Sequence, residues 1–440
     1  MMFFSGSRAQ TVWTLPDCIM YAFDNNISIK QQVLNTQYNE NILSQSKVAL
    51  APNLNAGANT GVSFGRYWDQ TLGRYVATNR NSSGNFNVSS SVTIFNGLQQ
   101  LNTIKQGEFN FLASLEDLEK LKNDISLLLA SAYLQILFNR ELLQVADNQH
   151  DLTLQQVDRT AKLVEAGSLA RGSLLEIQAQ AASEELNVIN AQNQLDISFL
   201  TLTQYLDLDS VGDFEIEIPE FGDVARDPIL FTVGMVYRDA LRVLPQIQGA
   251  EYKLQSAYEG LSIAQGKRSP SLLLNGQWGT AYSESQIRII NQIPLETENV
   301  SFWDQIDGNQ NTYFSMGLNI PIFNNWMINT NISNARLNVL NYELSFETTK
   351  MDLYKNIQQA FADAVAARKK YLATEEALIS MEESFKYTEQ KFEVGLVNTV
   401  DYNIEKTRLT TTQSDLLQAK YDYIFKMKIL DFYRGIPITL

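Results

Sequence analysis

Two periods of hydrophobic spacing alternate along the chain. Apolar residues recur at helical spacing from Leu15 to about Leu50, and the run stops before Pro52. Leu15-Pro16-Asp17 opens it with proline near the first turn, where a missing N–H costs nothing. The period then falls to two. Leu54, Ala56, Ala58, Thr60, Val62 and Phe64 alternate with Asn53, Asn55, Gly57, Asn59, Gly61 and Ser63, which predicts a strand over 53–64. A polar loop from about Gly65 to Gly84 leads to a second strand over 85–95, with Phe86, Val88, Val92 and Ile94 opposite Asn85, Asn87, Ser89, Ser91 and Thr93. Helical spacing resumes near Gly97 and lasts to Ala166. Within it Leu118, Leu121, Ile125, Leu128 and Ala132 step alternately by three and four, a heptad seam. About 70 residues at a rise of about 1.5 Å make a helix of about 100 Å, too long for a globular core and suited to a coiled bundle. A return helix runs from about Gly172 to Tyr205.

The pattern then starts again. The segment 207–228 is acidic, carries Pro219 and two glycines, and reads as a linker. A helix follows from about Ile229 to Lys267. A strand over 271–282 places Leu272, Leu274, Trp278, Thr280 and Tyr282 opposite Ser271, Asn275, Gln277 and Gly279. A long polar loop over about 283–312 leads to a strand over 313–323, with Phe314, Met316, Leu318, Ile320 and Ile322 against Ser315, Gly317, Asn319 and Pro321. A long helix ends near Val394 and a return helix runs from about Val400 to Tyr433. Ala22 precedes Pro52 by 30 residues, as Ala240 precedes Pro270; Phe95 precedes Gly167 by 72, as Phe323 precedes Gly395. Only the strand–loop–strand interval differs, 43 residues from Pro52 to Phe95 and 53 from Pro270 to Phe323. The expected organisation is a tandem repeat, 15–206 and 229–440, joined by the linker and preceded by an N-terminal segment 1–14.

Each long helix ends at a glycine, in Glu165-Ala166-Gly167-Ser168-Leu169 and in Glu393-Val394-Gly395-Leu396-Val397. Glycine lacks a Cβ and terminates helices in the left-handed conformation. Both stretches therefore read as tips of helical hairpins.

The four strands, as bounded above, contain no Asp, Glu, Lys or Arg. Strands of this length, with one bulky apolar face, one small polar face and long polar loops, match an outer-membrane barrel. Phe64, Tyr67, Trp68, Tyr282, Trp303 and Tyr313 lie near the strand–loop junctions and suit an interfacial aromatic girdle against outer-membrane lipid. Four strands cannot close a barrel, and open edges are not tolerated in lipid. Several chains must then share one barrel, with the polar faces lining water.

Composition removes other classes. The 440 residues carry a net charge of −15, which argues against nucleic acid as a partner. The one dense basic run, Arg368-Lys369-Lys370, fits a solvated helix face. A single cysteine, Cys18, excludes an internal disulfide, and it lies 132 positions from the single histidine, His150, with no companions for a metal site or a nucleophilic triad. The stretch from Gly260 to Lys267 is not a phosphate loop: five residues separate Gly260 from Gly266, and Arg268 stands where Ser or Thr is needed. No enzyme site, cofactor or metal is expected. No run of about 18 apolar residues predicts a membrane-spanning helix. Residues 1–10 end in Ser7-Arg8-Ala9-Gln10, the small-residue close of a secretory signal without its apolar core, and read as a signal-peptide remnant from a clipped start.

The layout resembles the TolC family of outer-membrane efflux proteins. The resemblance covers about Leu15 to Pro437 and is carried by Leu15-Pro16-Asp17-Cys18-Ile19 with Ala22 and Asn25-Asn26, by Ser315-Met316-Gly317-Leu318-Asn319-Ile320-Pro321-Ile322-Phe323, and by the two glycine tips. It implies a mainly α fold with a membrane β-barrel: a homotrimer with a shared twelve-stranded barrel and a periplasmic tunnel of long helical hairpins. It also implies a passive duct that docks a periplasmic adaptor and an inner-membrane transporter of RND or ABC type. In the family the tips meet the adaptor, often through Val-Gly-Leu. Val394-Gly395-Leu396 matches that motif, and Ala166-Gly167-Ser168 is a looser copy. The family's closed entrance carries acids just after the second tip. Asp401 stands at such a position; Ile404 stands where a second aspartate is usual, with Glu405 beside it, and Ser173 is the first-half counterpart of Asp401. Asp401, with Glu405, is the expected periplasmic gate, against the simpler reading of an acid favoured by the helix dipole.

The reading is a trimeric exit duct for small-molecule efflux. Its alternatives are a channel for type I protein secretion and, in another class, a structural periplasmic coiled-coil protein, which would leave the membrane without detergent.

Overall fold

The computed structural model describes residues 12–69, 73–208, 214–219, 221, 230–292 and 295–439. Residues 1–11 of the N-terminal segment and most of the linker, 209–213, 220 and 222–228, lie outside the described residues. In chain order the elements are β1 (Val12–Trp13), α1 (Leu15–Asn25), α2 (Ile27–Val48), β2 (Asn55–Asp69), β3 (Arg74–Phe95), α3 (Gln99–Glu165), α4 (Arg171–Tyr205), β4 (Glu215–Ile216), α5 (Val233–Val243), α6 (Pro245–Gly266), β5 (Ser271–Ser283), β6 (Ile287–Gln292), β7 (Leu295–Asn299), α7 (Phe302–Gly308), β8 (Asn311–Asn319), α8 (Met327–Glu393) and α9 (Thr399–Tyr433). None of these helices is long and apolar enough to cross a membrane.

The helices of the two halves match residue for residue. α1 and α5 have 11 residues each, α2 and α6 have 22, α3 and α8 have 67, and α4 and α9 have 35. The left-handed backbone positions also repeat: Gly97 with Asn325, Leu98 with Trp326, Gly167 with Gly395, and Asp207 with Gly435, each pair 228 residues apart. Gly97 needs to be glycine, because a Cβ there would lie 2.4 Å from the Gly266 carbonyl oxygen. Asn325 is among the few other residues that tolerate this conformation.

Each opening helix expected as one element is two. Pro245 starts α6 because it cannot donate the hydrogen bond that would continue α5. Asn26 makes the equivalent break: its Oδ1 accepts from the Ser28 and Ile29 backbone amides at 3.0 and 3.3 Å, and its side-chain Nδ2 donates to the Tyr205 carbonyl at 3.2 Å. α1 itself opens with a capping box, Thr14 and Asp17 exchanging backbone and side-chain bonds of 3.0 and 3.2 Å.

Two compact units cut across the halves. The first holds residues 1–36, 113–251 and 345–440. Its core gathers Leu15, Cys18, Ala22, Leu129, Tyr133, Ile136, Leu137, Leu202 and Ile424. The expected seam keeps Leu118, Ile125 and Ala132 buried, but Leu128 is 42% exposed and Leu129 takes the inward place. The buried stripe thus runs Ile125, Leu129, Ala132, Ile136, keeping steps of three and four in a different order from the expected seam. The linker is partly structured. β4 pairs in parallel with β1, Phe214 and Ile216 are buried, and the Tyr133 hydroxyl spans the Trp13 and Glu217 carbonyls at 3.1 and 2.7 Å.

The second unit holds residues 37–112 and 252–344. Its sheet has the antiparallel order β2-β3-β5-β8. Cross-strand partners share a face, and the register sets like with like. Ala58, Phe86 and Thr280 are level, as are Ala56, Val88, Trp278 and Thr312, and Val92, Leu274 and Met316. On the other face Asn59 meets Asn85 and Ala281, while Asn55, Ser89, Gln277 and Tyr313 are level. The apolar face is bare: Phe314, Met316 and Leu318 are 77, 67 and 63% exposed.

Three strand bounds differ from expectation. β2 and β3 run on to Asp69 and start at Arg74, where a loop over 65–84 is expected. The register slips between Ser63 and Gly65. A bulge of this kind breaks the alternation in sequence while the ladder continues. The extensions carry charge, Arg66, Asp69, Arg74 and Arg80. β8 spans 311–319 rather than 313–323, since Pro321 has no N–H to donate. The polar loop over 283–312 holds a hairpin, β6–β7, and the helix α7.

Candidate functional site

Both hairpin tips belong to the first unit and share one backbone motif. Gly167 has φ +76° and Gly395 has φ +78°. In the first tip the Gly167 amide donates to the Val164 carbonyl at 3.0 Å and the Ser168 amide to Leu163 at 2.8 Å. In the second the Gly395 amide donates to Phe392 at 3.1 Å and the Leu396 amide to Lys391 at 2.8 Å. This is the paired bonding of a Schellman cap, which closes the orphan carbonyls of a helix end. A Cβ on either glycine would meet open space, so the constraint is the dihedral alone. Val394 and Leu396 are 71 and 76% exposed, with no apolar cover in one chain. Ala166 and Ser168 are exposed as well.

The two tips meet through side chains. Arg159, two turns before the first tip, lies 3.5 Å from Glu393 at the second. Deeper in, Lys406 of α9 donates to the Gln149 carbonyl at 3.1 Å and to the Thr153 hydroxyl, which donates to Glu184 of α4. Lys406 and Glu184 lie 3.6 Å apart with side chains 3 and 6% exposed. Burial holds the Lys406 ammonium below its ordinary value, opposed by the charge of Glu184. Tyr402, 3% exposed, stacks on Phe392 with ring centroids 4.4 Å apart.

The two expected gate acids have local partners. The Asp401 amide donates to Asn398 Oδ1 at 2.8 Å and Asn398 Nδ2 donates to the Asp401 carboxylate at 3.0 Å. Asp401 is thus part of the N-cap of α9 and remains exposed. Glu405 is paired with Arg408 at 2.6 Å. Ser173 donates its amide to Ala170, which caps α4 without a side-chain bond.

Sequence reasoning missed Lys406, Glu184 and Tyr402. The signal was present. Glu184 falls on the stripe Ile177, Ala181, Ala191, Leu195, and Lys406 sits one turn after Tyr402 on its face. A charge on an apolar stripe is the informative observation. Elsewhere, burial and then Asp17 push the Cys18 thiol up to about 12, leaving it unreactive. Among the described residues no group of three or more His, Cys, Asp or Glu is placed to hold a metal.

Long helical hairpins with glycine tips, combined with an open sheet that is apolar on one face and polar on the other, define the class as an outer-membrane protein with a helical extension. The outer membrane efflux protein family profile matches residues 19–207 and 236–428, and the chain belongs to this family. Its place is therefore the outer membrane. Outer membrane protein TolC of Escherichia coli is 22% identical over 305 residues, 67% of this chain and 58% of that protein. Toxin and drug export protein A of Aggregatibacter actinomycetemcomitans is 21% identical over 418 residues, 91% of this chain and 83% of that protein. The crystal structure of CusC, a transmembrane channel, superposes with a TM-score of 0.80 at 16% identity, covering 99% of this chain and 96% of that one. The chain thus spans 58% of the length of the first of these relatives and 83% of the second.

Proposed function

We propose that three copies close the sheet into a twelve-stranded barrel and that the chain is the passive exit duct of a tripartite efflux pump for small molecules. The observation that carries this is the sheet. β2 and β8 are open edges flanking a continuous, uncovered apolar face, and lipid tolerates neither an open edge nor an unpaired backbone. The opposite face, rich in Asn, Ser and Gly, then lines water. The halves 15–206 and 229–440 are read as copies of one unit, supported by their equal helix lengths.

The tips Ala166-Gly167-Ser168 and Val394-Gly395-Leu396 dock a periplasmic adaptor, which joins the duct to an inner-membrane transporter of RND or ABC type. Bare Val394 and Leu396 around a rigid turn supply an apolar anchor of the kind interfaces use. Asp401 forms an acidic ring at the periplasmic mouth, where threefold symmetry brings its copies together and favours cations. Glu405, tied to Arg408, adds less field. The aromatic girdle is assigned to Phe64, Trp68, Tyr282 and Trp303; Tyr313 is level with Gln277 on the polar face and drops out of it, and the side chain of Tyr67 lies outside the described residues.

The test is in cells. A strain lacking this chain should retain a fluorescent pump substrate, the intact chain should restore efflux, and a photo-reactive group at Leu396 should capture the adaptor. Normal efflux without the chain, together with no captured adaptor, would remove the proposal. Failure of small-molecule efflux with loss of a secreted protein would favour type I secretion.

A further inference from the structure

The second half carries an insertion that the first lacks, and it is built as part of a strand edge. β8 covers the edge of β5 only from Ser271 to Gly279. Beyond that point α7 takes over. Gln305 Oε1 accepts from the Ser283 amide at 2.8 Å, and Asn309 Nδ2 donates to the Ala281 carbonyl at 2.7 Å. These are backbone groups on the β5 edge that a longer β8 would have paired. The Thr280 hydroxyl donates to the Ile306 carbonyl at 2.7 Å, Tyr282 packs on Phe302 at 5.0 Å, and Gln305 is 1% exposed. α7 is therefore fixed in line with β8.

Whatever stands in line with β8 faces what β8 faces. In a closed barrel that is β2 of the next copy. β2 has 15 residues and β8 has 9, so β2 overreaches its partner. Setting the inner ends level, Asn319 beside Asn55, puts Asn311 beside Ser63, where the ladder to β3 slips because β3 carries one extra residue. The stretch Gly65–Asp69 then has no strand beside it. α7 stands at that level and turns Trp303, 76% exposed, and the exposed Asp304 and Asp307 away from β5. α7 holds no cation; the β2–β3 extension presents exposed Arg66 and Arg74 with Trp68. Charge and aromatic character are complementary across the gap.

We infer that α7 is an intersubunit seal: it docks on the outer extension of β2 and β3 of a second copy of this chain and closes the barrel seam that β8 is too short to close. The inference rests on the proposed trimeric closure. It assigns a contact to an element that a barrel of strands alone does not require.

Two differently tagged chains co-expressed in the outer membrane test it, one Asp307→Cys and the other Arg66→Cys, treated with a short bismaleimide. A Ser315→Cys chain with an Asn59→Cys chain serves as the strand-to-strand control. Buried Cys18 stays silent. The seal predicts a doubly tagged dimer from both pairs, in similar yield, with the α7 product lost in an α7 variant carrying Gln305→Ala and Asn309→Ala. A dimer from the control pair alone overturns the seal and leaves the closure standing. No dimer from either pair overturns both.

Discussion

The two glycine tips have the same backbone and different supports. Both close with left-handed glycine and the same pair of hydrogen bonds. Position by position, 228 residues apart, the second tip has Phe392 and Tyr402 stacked where the first has Val164 and Leu174. It has Asn398 as a side-chain cap where the first has Ala170, and Lys406 in a buried ion pair where the first has Gln178. The backbone needs only glycine at one dihedral, so the turn survives divergence of everything around it. The side chains have then been spent differently: the second tip has its own ring stack and side-chain cap, the first has neither, and the buried Lys406–Glu184 pair ties the two hairpins together.

The largest break in that comparison is Lys406→Met. It strands Glu184 as a buried charge, and removing one partner of such a pair costs about 3–5 kcal/mol. Gln178→Met in the first half should change little. Thermal unfolding followed by circular dichroism in detergent should show a large drop for the first variant alone. Adding Glu184→Leu to Lys406→Met should recover much of the loss; no recovery would mean that the cost lies elsewhere.

Gly167→Ala and Gly395→Ala come next. Each forces a Cβ into the left-handed region, at about 1–2 kcal/mol. Shared backbone geometry predicts equal losses at the two tips, so a clear inequality would show that support, rather than dihedral, sets the tip energy. The cap is smaller. Asn398→Ala should cost about 1 kcal/mol, and Ala170→Asn should stabilise the first hairpin by a similar amount. Hydrogen exchange in the first turns of α4 and α9 would read both changes.

The comparison also has a signature in pH. Burial, reinforced by Glu389, raises the Tyr402 hydroxyl from 10.0 to about 12. Between those values the unfolded chain has lost the proton that the folded chain keeps, so stability falls as pH rises through this window. Tyr402→Phe should flatten the decline. Burial of Lys406 acts with the opposite sign: its lowered value makes the unfolded state the better proton binder, so stability rises with pH toward its ordinary 10.5.

Most of this fold was legible because its signals are periodic. Alternation found four strands and the face each shows, and the glycines with prolines bounded the helices to within a few residues. The misses have physical causes. Opposite Phe64 β3 carries one extra residue, which breaks its alternation without breaking the ladder, and in β2 the charged Arg66 interrupts the apolar series, so the outer halves of both strands read as loop. α7 has 7 residues, too few to show a period. The break at Asn26 needs Tyr205 and Asp207, about 180 positions away, to explain it. At the site the glycine tips were visible because glycine carries its dihedral in its identity. The Lys406–Thr153–Glu184 network was not, because it joins three helices whose mutual register no local pattern states.

The most direct test of the duct is electrical. Purified chains reconstituted in a planar bilayer should form discrete, cation-preferring pores, and Asp401→Ala should keep the pores while reducing that preference. Bilayers that stay silent, or pores whose conductance and selectivity are indifferent to Asp401→Ala, would contradict the open-sheet closure in the first case and the acidic mouth in the second.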